Sequence, residues 1–193
     1  MTIIAILLAF ALCHFVRELG RFRQNQWLAS WINFANGAFG KFPGWQDVLG
    51  FLILIALPAL LLLMINQLLY SAFGSTGAFL LAIIVLIYTY GPKDLDTEVA
   101  AIIESEEGEP RQEALAELLG GPVPEDHDAC RALAVESVFR EALRRWFSII
   151  FWFAVLGIVG AFLYRLVDWM VQEDYPLSDD QKDLFIRLRQ ILD

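Results

Sequence analysis

The chain has 193 residues, of which 58% are apolar and 19% charged, and a net charge of −9. That balance excludes an ordinary soluble domain, where charged residues make up about a quarter. The acidic excess excludes a nucleic-acid partner, because neutralising phosphates takes clustered Lys and Arg.

Met1-Thr2-Ile3-Ile4 lacks the basic start of a signal peptide, and Leu12 precedes Cys13 where a lipoprotein would carry a small residue. Thr2–Val16 therefore reads as a short, uncleaved first span. Arg17–Asp47 follows, opened by Arg17, Arg21 and Arg23 and rich in aromatics from Phe22 to Trp45. Aromatic and basic residues beside a span predict a helix lying at the headgroup level, broken by Gly37, Gly40, Pro43 and Gly44.

Val48–Phe73 is a second span, bent at Pro58, where one helical hydrogen bond is missing. A turn at Gly74-Ser75 leads to a third span, Thr76–Tyr90. Each run approaches the roughly 20 apolar residues that cross a hydrocarbon core, and in lipid such runs must be helices.

The segment Gly91–Arg145 is polar, with 14 acidic and six basic residues for a net of −8. Leu95, Val99, Ile102 and Ile103 share one helical face. Glu109-Pro110 opens a second helix, stopped by Gly120-Gly121. A third begins near Asp126 and carries an apolar stripe of Val135, Val138, Phe139, Ala142, Leu143 and Trp146. It runs without a break into the fourth span, Trp146–Val167, and the polar tail Asp168–Asp193 ends the chain.

The Arg17–Asp47 loop has four basic residues, Gly91–Arg145 has six and the Gly74-Ser75 turn has none. Two spans separate the basic segments, so both face the cytoplasm under the positive-inside rule. The amino terminus then lies outside. A single fourth crossing would place the tail outside as well, against its Lys182, Arg187 and Arg189.

Val135-Glu136-Ser137-Val138, Phe151-Trp152, Gly160-Ala161 and Tyr164-Arg165 resemble the CobD/CbiB membrane family over roughly residues 91–167. Upstream, the first third matches in hydropathy alone. The resemblance implies a multi-pass protein of the bacterial inner membrane. One branch of the family is the adenosylcobinamide-phosphate synthase of cobalamin biosynthesis; a shorter branch is regulatory, linked to β-lactamase induction and peptidoglycan recycling. In the synthase pattern Glu-Ser is followed by Glu-Asn, two residues and Asp-Gly. Here those positions hold Arg140, Glu141, Arg144 and Arg145, and Arg cannot ligate Mg²⁺, which takes oxygen donors. The family pattern continues into another apolar segment, so the chain reads as a truncated form.

Candidate ligand-binding residues are Glu136, Arg140, Arg144, Tyr164, Arg165 and Asp94. Glu136 and Arg140, four apart, form either a surface pair or part of a cytoplasmic vestibule. Arg140, Arg144 and Arg145 make a basic collar that fixes topology and attracts anionic lipid, or a ligand site. Tyr164-Arg165 is either an interfacial anchor or, by the resemblance, the lining of an anion cavity. Gly157, Gly160 and Ala161 provide a small-residue face for helix packing. Cys13-His14 and His127…Cys130 lack further partners for a metal, the two cysteines imply no disulfide framework, and no cofactor is expected.

The fold class is therefore all-α integral membrane, with about four transmembrane helices and a cytoplasmic helical insert, organised as 1–90, 91–145 and 146–193. The leading function is a regulatory membrane protein acting through the insert. The alternatives are a degenerate synthase using nucleotide at Glu136, Glu141 and Asp94, or a structural subunit of a membrane complex. Its partners are the bilayer, a cytosolic or membrane protein, or a second copy of the chain.

Overall fold

The computed structural model describes residues 2–15, 25–90, 99–100, 102–103, 109–119, 121, 123–124, 126–172 and 174–193. Every regular element among the described residues is helical. The helices are α1 (Thr2–Phe15), α2 (Gln26–Phe39), α3 (Val48–Thr89), α4 (Glu109–Leu119), α5 (His127–Ala142), α6 (Ser148–Gln172) and α7 (Asp179–Leu192), with a π-helical turn at Leu143–Phe147. Two compact units result: residues 1–90 with 148–193, and residues 91–147.

The first unit is built on two glycine reversals. In α3, Gly74 adopts φ 64° and ψ −150°, a region open essentially to glycine alone. A Cβ on Gly77 would lie 2.5 Å from the Leu69 carbonyl oxygen, eight residues back. A straight helix would hold those residues about 12 Å apart, so the chain folds back on itself.

Gly157 repeats the geometry in α6, at φ 66° and ψ −149°, and a Cβ on Gly160 would overlap the Trp152 carbonyl, again eight residues back. The Ser148 and Tyr164 hydroxyls hydrogen-bond across the two arms. This corrects the expectation of one unbroken span over Trp146–Val167. The Gly157 Cβ position meets no neighbour within the chain, and what its positive φ requires of glycine is the backbone reversal. Gly160 and Ala161 are buried.

By length and composition alone, Val48–Thr89 and Ser148–Gln172 each qualify to cross a membrane; the reversals at Gly74 and Gly157 divide each into two arms. Pro58 removes an amide that would have bonded the Leu54 carbonyl. The Trp31 indole donates to that carbonyl instead, at 3.4 Å, which keeps α3 satisfied at a point where lipid offers no donor.

Helix α2 buries Leu28, Ile32 and Ala35 along one face, so the aromatic segment is partly an inward-packing element and not only a headgroup one. Arg17, Arg21 and Arg23 lie outside the described residues. Gly44 turns the chain at φ 81° and brings Trp45 into the core.

The tail is folded onto this unit. Ser178 caps α7 in a capping box with Gln181. The Ser178 hydroxyl donates to the Gln46 carbonyl at 2.6 Å, and the Gln181 amide donates to the Trp45 carbonyl at 2.6 Å. Asn36 donates to the Pro176 carbonyl and accepts from the Trp45 indole, each at 2.9 Å. Phe185 joins Trp45, Leu54, Leu166 and Trp169 in one apolar cluster. A second cluster gathers Ala5, Ala9, Leu86, Ile149, Phe153 and Tyr164.

The second unit contains α4 and α5. The Asp126 carboxylate caps α5 by accepting from the Ala129 amide at 3.0 Å. Ser137 of α5 is buried, whereas Val135 and Phe139 of the expected stripe are exposed.

Candidate functional site

Each unit contains part of the candidate set. In the first, Tyr164 and Arg165 lie on the second arm of α6. Arg165 is not an interfacial anchor: its side chain is 3% exposed. Its Nε donates to the Thr89 carbonyl at 2.6 Å, one of the last carbonyls of α3, which lack helical partners and carry the negative end of the helix dipole. Its Nη1 bonds Asp168 Oδ2 at 2.9 Å, and Asp168 is 1% exposed.

The pair continues into α7. Arg189 Nε lies 3.6 Å from Asp168 Oδ1 and 3.5 Å from Asp193 Oδ2, and the Tyr164 hydroxyl donates to Asp193 Oδ1 at 2.7 Å. The Trp152 indole donates to the Leu192 carbonyl at 2.9 Å. Two cations and two carboxylates thus balance in a chain from Thr89 to Asp193, which fastens α7 along the second arm of α6. Burying one charge alone would be costly; together they neutralise one another, and Arg165 and Asp168 also share a hydrogen bond.

The sequence singles out Tyr164 and Arg165 as an anchor or ligand pair, and it does not join them to Asp168, Arg189 and Thr89, which the structure brings to them. The available signal was an Arg and an Asp three apart inside an apolar helix, a spacing at which the two meet and a setting where ionisable groups pair.

In the second unit, Arg140 Nη1 lies 3.9 Å from Glu136 Oε1, with the side chains 60% and 66% exposed, and Arg140 Nη2 donates to the Ser137 hydroxyl at 3.0 Å. Such an exposed pair contributes at most about 1 kcal/mol. Asp94, and the side chains of Arg144 and Arg145, lie outside the described residues.

Beside this pair is a groove of about 330 Å³, lined by Val99, Ile102, Leu115, Leu118, Val138 and Phe139 among others. Its walls are almost wholly apolar and it opens to the surface. Among the described residues no three His, Cys, Asp or Glu side chains converge as metal ligands.

Comparison with known families gives one match: the family model described as CobD/Cbib protein aligns with residues 3–170. The match takes in α1 to α3, well upstream of the motifs that suggested it. Searches for a similar curated protein and for a similar solved structure found none.

Proposed function

The chain belongs to the CobD/CbiB family, and from that premise we propose that it is a regulatory membrane protein like AmpE, not a synthase. In this reading it sits in the bacterial inner membrane as a multi-pass protein, modulates β-lactamase induction in response to peptidoglycan recycling, and signals through the insert of residues 91–147.

One observation carries this reading over the enzymatic one. The positions that follow the Glu136-Ser137 motif hold Arg140 and Glu141 on α5 and Arg144 and Arg145 in the π-helical turn after it. Glu136 points to an exposed surface and is engaged by Arg140. A nucleotide–metal site needs converging oxygen donors; a guanidinium at that position supplies a cation. The same helix presents apolar side chains outward, as a docking element does.

The glycine reversals also bear on topology. With Gly157 folding α6 back, Ser148–Gln172 enters and leaves on one face of the membrane, so the tail shares the side of the Arg17–Asp47 loop that it touches through Gln46 and Trp45. Lys182, Arg187 and Arg189 then satisfy the positive-inside rule.

Thermal unfolding of the purified chain with muropeptides or with Mg-ATP tests the reading, because a ligand of the native state raises its stability. A saturable rise with muropeptides, absent with Mg-ATP and abolished by Glu136→Lys, is expected. A rise with Mg-ATP alone would favour the enzymatic alternative.

A further inference from the structure

We propose that the groove of the acidic insert is a seat for a basic amphipathic helix of a partner protein. The inference deepens the regulatory reading and rests on its claim that the insert is the working part. The shape supplies the first reason. Val99, Ile102 and Ile103 form one wall, Leu115 and Leu118 of α4 another, and Val135, Val138 and Phe139 of α5 the third. Ile103 is 72% and Phe139 68% exposed. Large apolar side chains gathered at a groove mark an interaction site, whereas scattered ones do not. An apolar groove between helices takes the apolar face of another helix, read through anchors at i, i+3 or i+4 and i+7.

Charge decides which helix. Residues 91–145 carry 14 acidic and six basic side chains, a net of −8. Among the described residues, Glu113 and Glu136 are exposed within two residues of the lining positions Leu115 and Val135; the exposed Arg140 beside Phe139 pairs with Glu136, so the excess negative charge comes from the rest of the insert. An anionic lipid surface would be repelled by this charge, since membrane attraction requires a basic face. A second copy of the same insert would be repelled likewise. A helix with Lys and Arg flanking its apolar stripe gains both apolar burial and electrostatic steering.

The test uses the full chain in nanodiscs of zwitterionic lipid and a fluorescent 18-residue peptide with Leu and Phe on one helical face and Lys on the other. Two controls share its apolar residues: a scrambled version, and one with every Lys replaced by Glu. The basic amphipathic peptide should bind saturably and at least about tenfold tighter than either control. Ile103→Ser and Phe139→Ser should each weaken it at least about tenfold with helicity unchanged, because both side chains are exposed and carry little of the fold. Equal binding of the scrambled or the acidic peptide, equal binding to empty nanodiscs, or indifference to both substitutions would overturn the proposal. None of these readouts depends on muropeptides or on β-lactamase, so this assignment and the regulatory reading can fail separately.

Discussion

Arg165 reaches 76 residues back along the chain to donate its Nε proton to the Thr89 carbonyl at 2.6 Å. That single contact joins the end of α3 to α6, and through Asp168 and Arg189 the same guanidinium is coupled to α7. An arginine in an apolar run is here a tertiary fastener.

Removing one member should therefore be more damaging than removing two. Arg165→Leu leaves the Asp168 carboxylate buried without its nearest cation, and such a loss costs about 3–5 kcal/mol. The double variant Arg165→Leu with Asp168→Leu removes both charges and should recover at least about 1 kcal/mol of that. Unfolding by SDS titration in mixed micelles measures both. Strict additivity of the two single losses would contradict the coupling.

Gly74 and Gly157 should tolerate no side chain. Gly74→Ala and Gly157→Ala force a Cβ into a backbone region essentially reserved for glycine, at about 1–3 kcal/mol each. Gly37, inside α2 with nothing within 4 Å of its Cβ position, is the control. Gly37→Ala should be neutral or stabilising by up to about 1 kcal/mol. The same titration ranks the three, and a Gly157→Ala variant as stable as Gly37→Ala would contradict the reversal.

Some of this architecture is legible in the sequence and some is not, for physical reasons. The start of α5 is announced by Asp126, a capping residue before an apolar stripe, and the break at Gly74-Ser75 by a glycine between two apolar runs. Gly157 is more ambiguous. A glycine three residues before another reads equally as a face for close helix approach and as a reversal, and only the backbone angles separate them. Arg165 is harder still, because its partners Thr89 and Arg189 lie far away in the chain. Local patterning offers an arginine in an apolar run the interface or an anion cavity, and not a carbonyl 76 residues back. The groove is half legible: its α5 positions form an apolar stripe in the sequence, but which side of that stripe stays uncovered depends on how α4 packs.

The tail should lie on the same membrane side as the α2–α3 connection. In a chain with Cys13 and Cys130 replaced by Ser, single cysteines at the exposed Asp47 and Asp179 should respond alike to a membrane-impermeant maleimide. Both should be protected in intact cells and both labelled in inverted vesicles. Opposite labelling of the two positions would contradict a re-entrant α6.

The regulatory claim is tested most directly by β-lactamase activity after β-lactam challenge in cells whose own copy of this chain is deleted. Re-expressed wild type should restore the inducible level, and a chain carrying Glu136→Lys, inserted in the membrane in equal amount, should not. Induction that is the same with and without the chain would contradict the account.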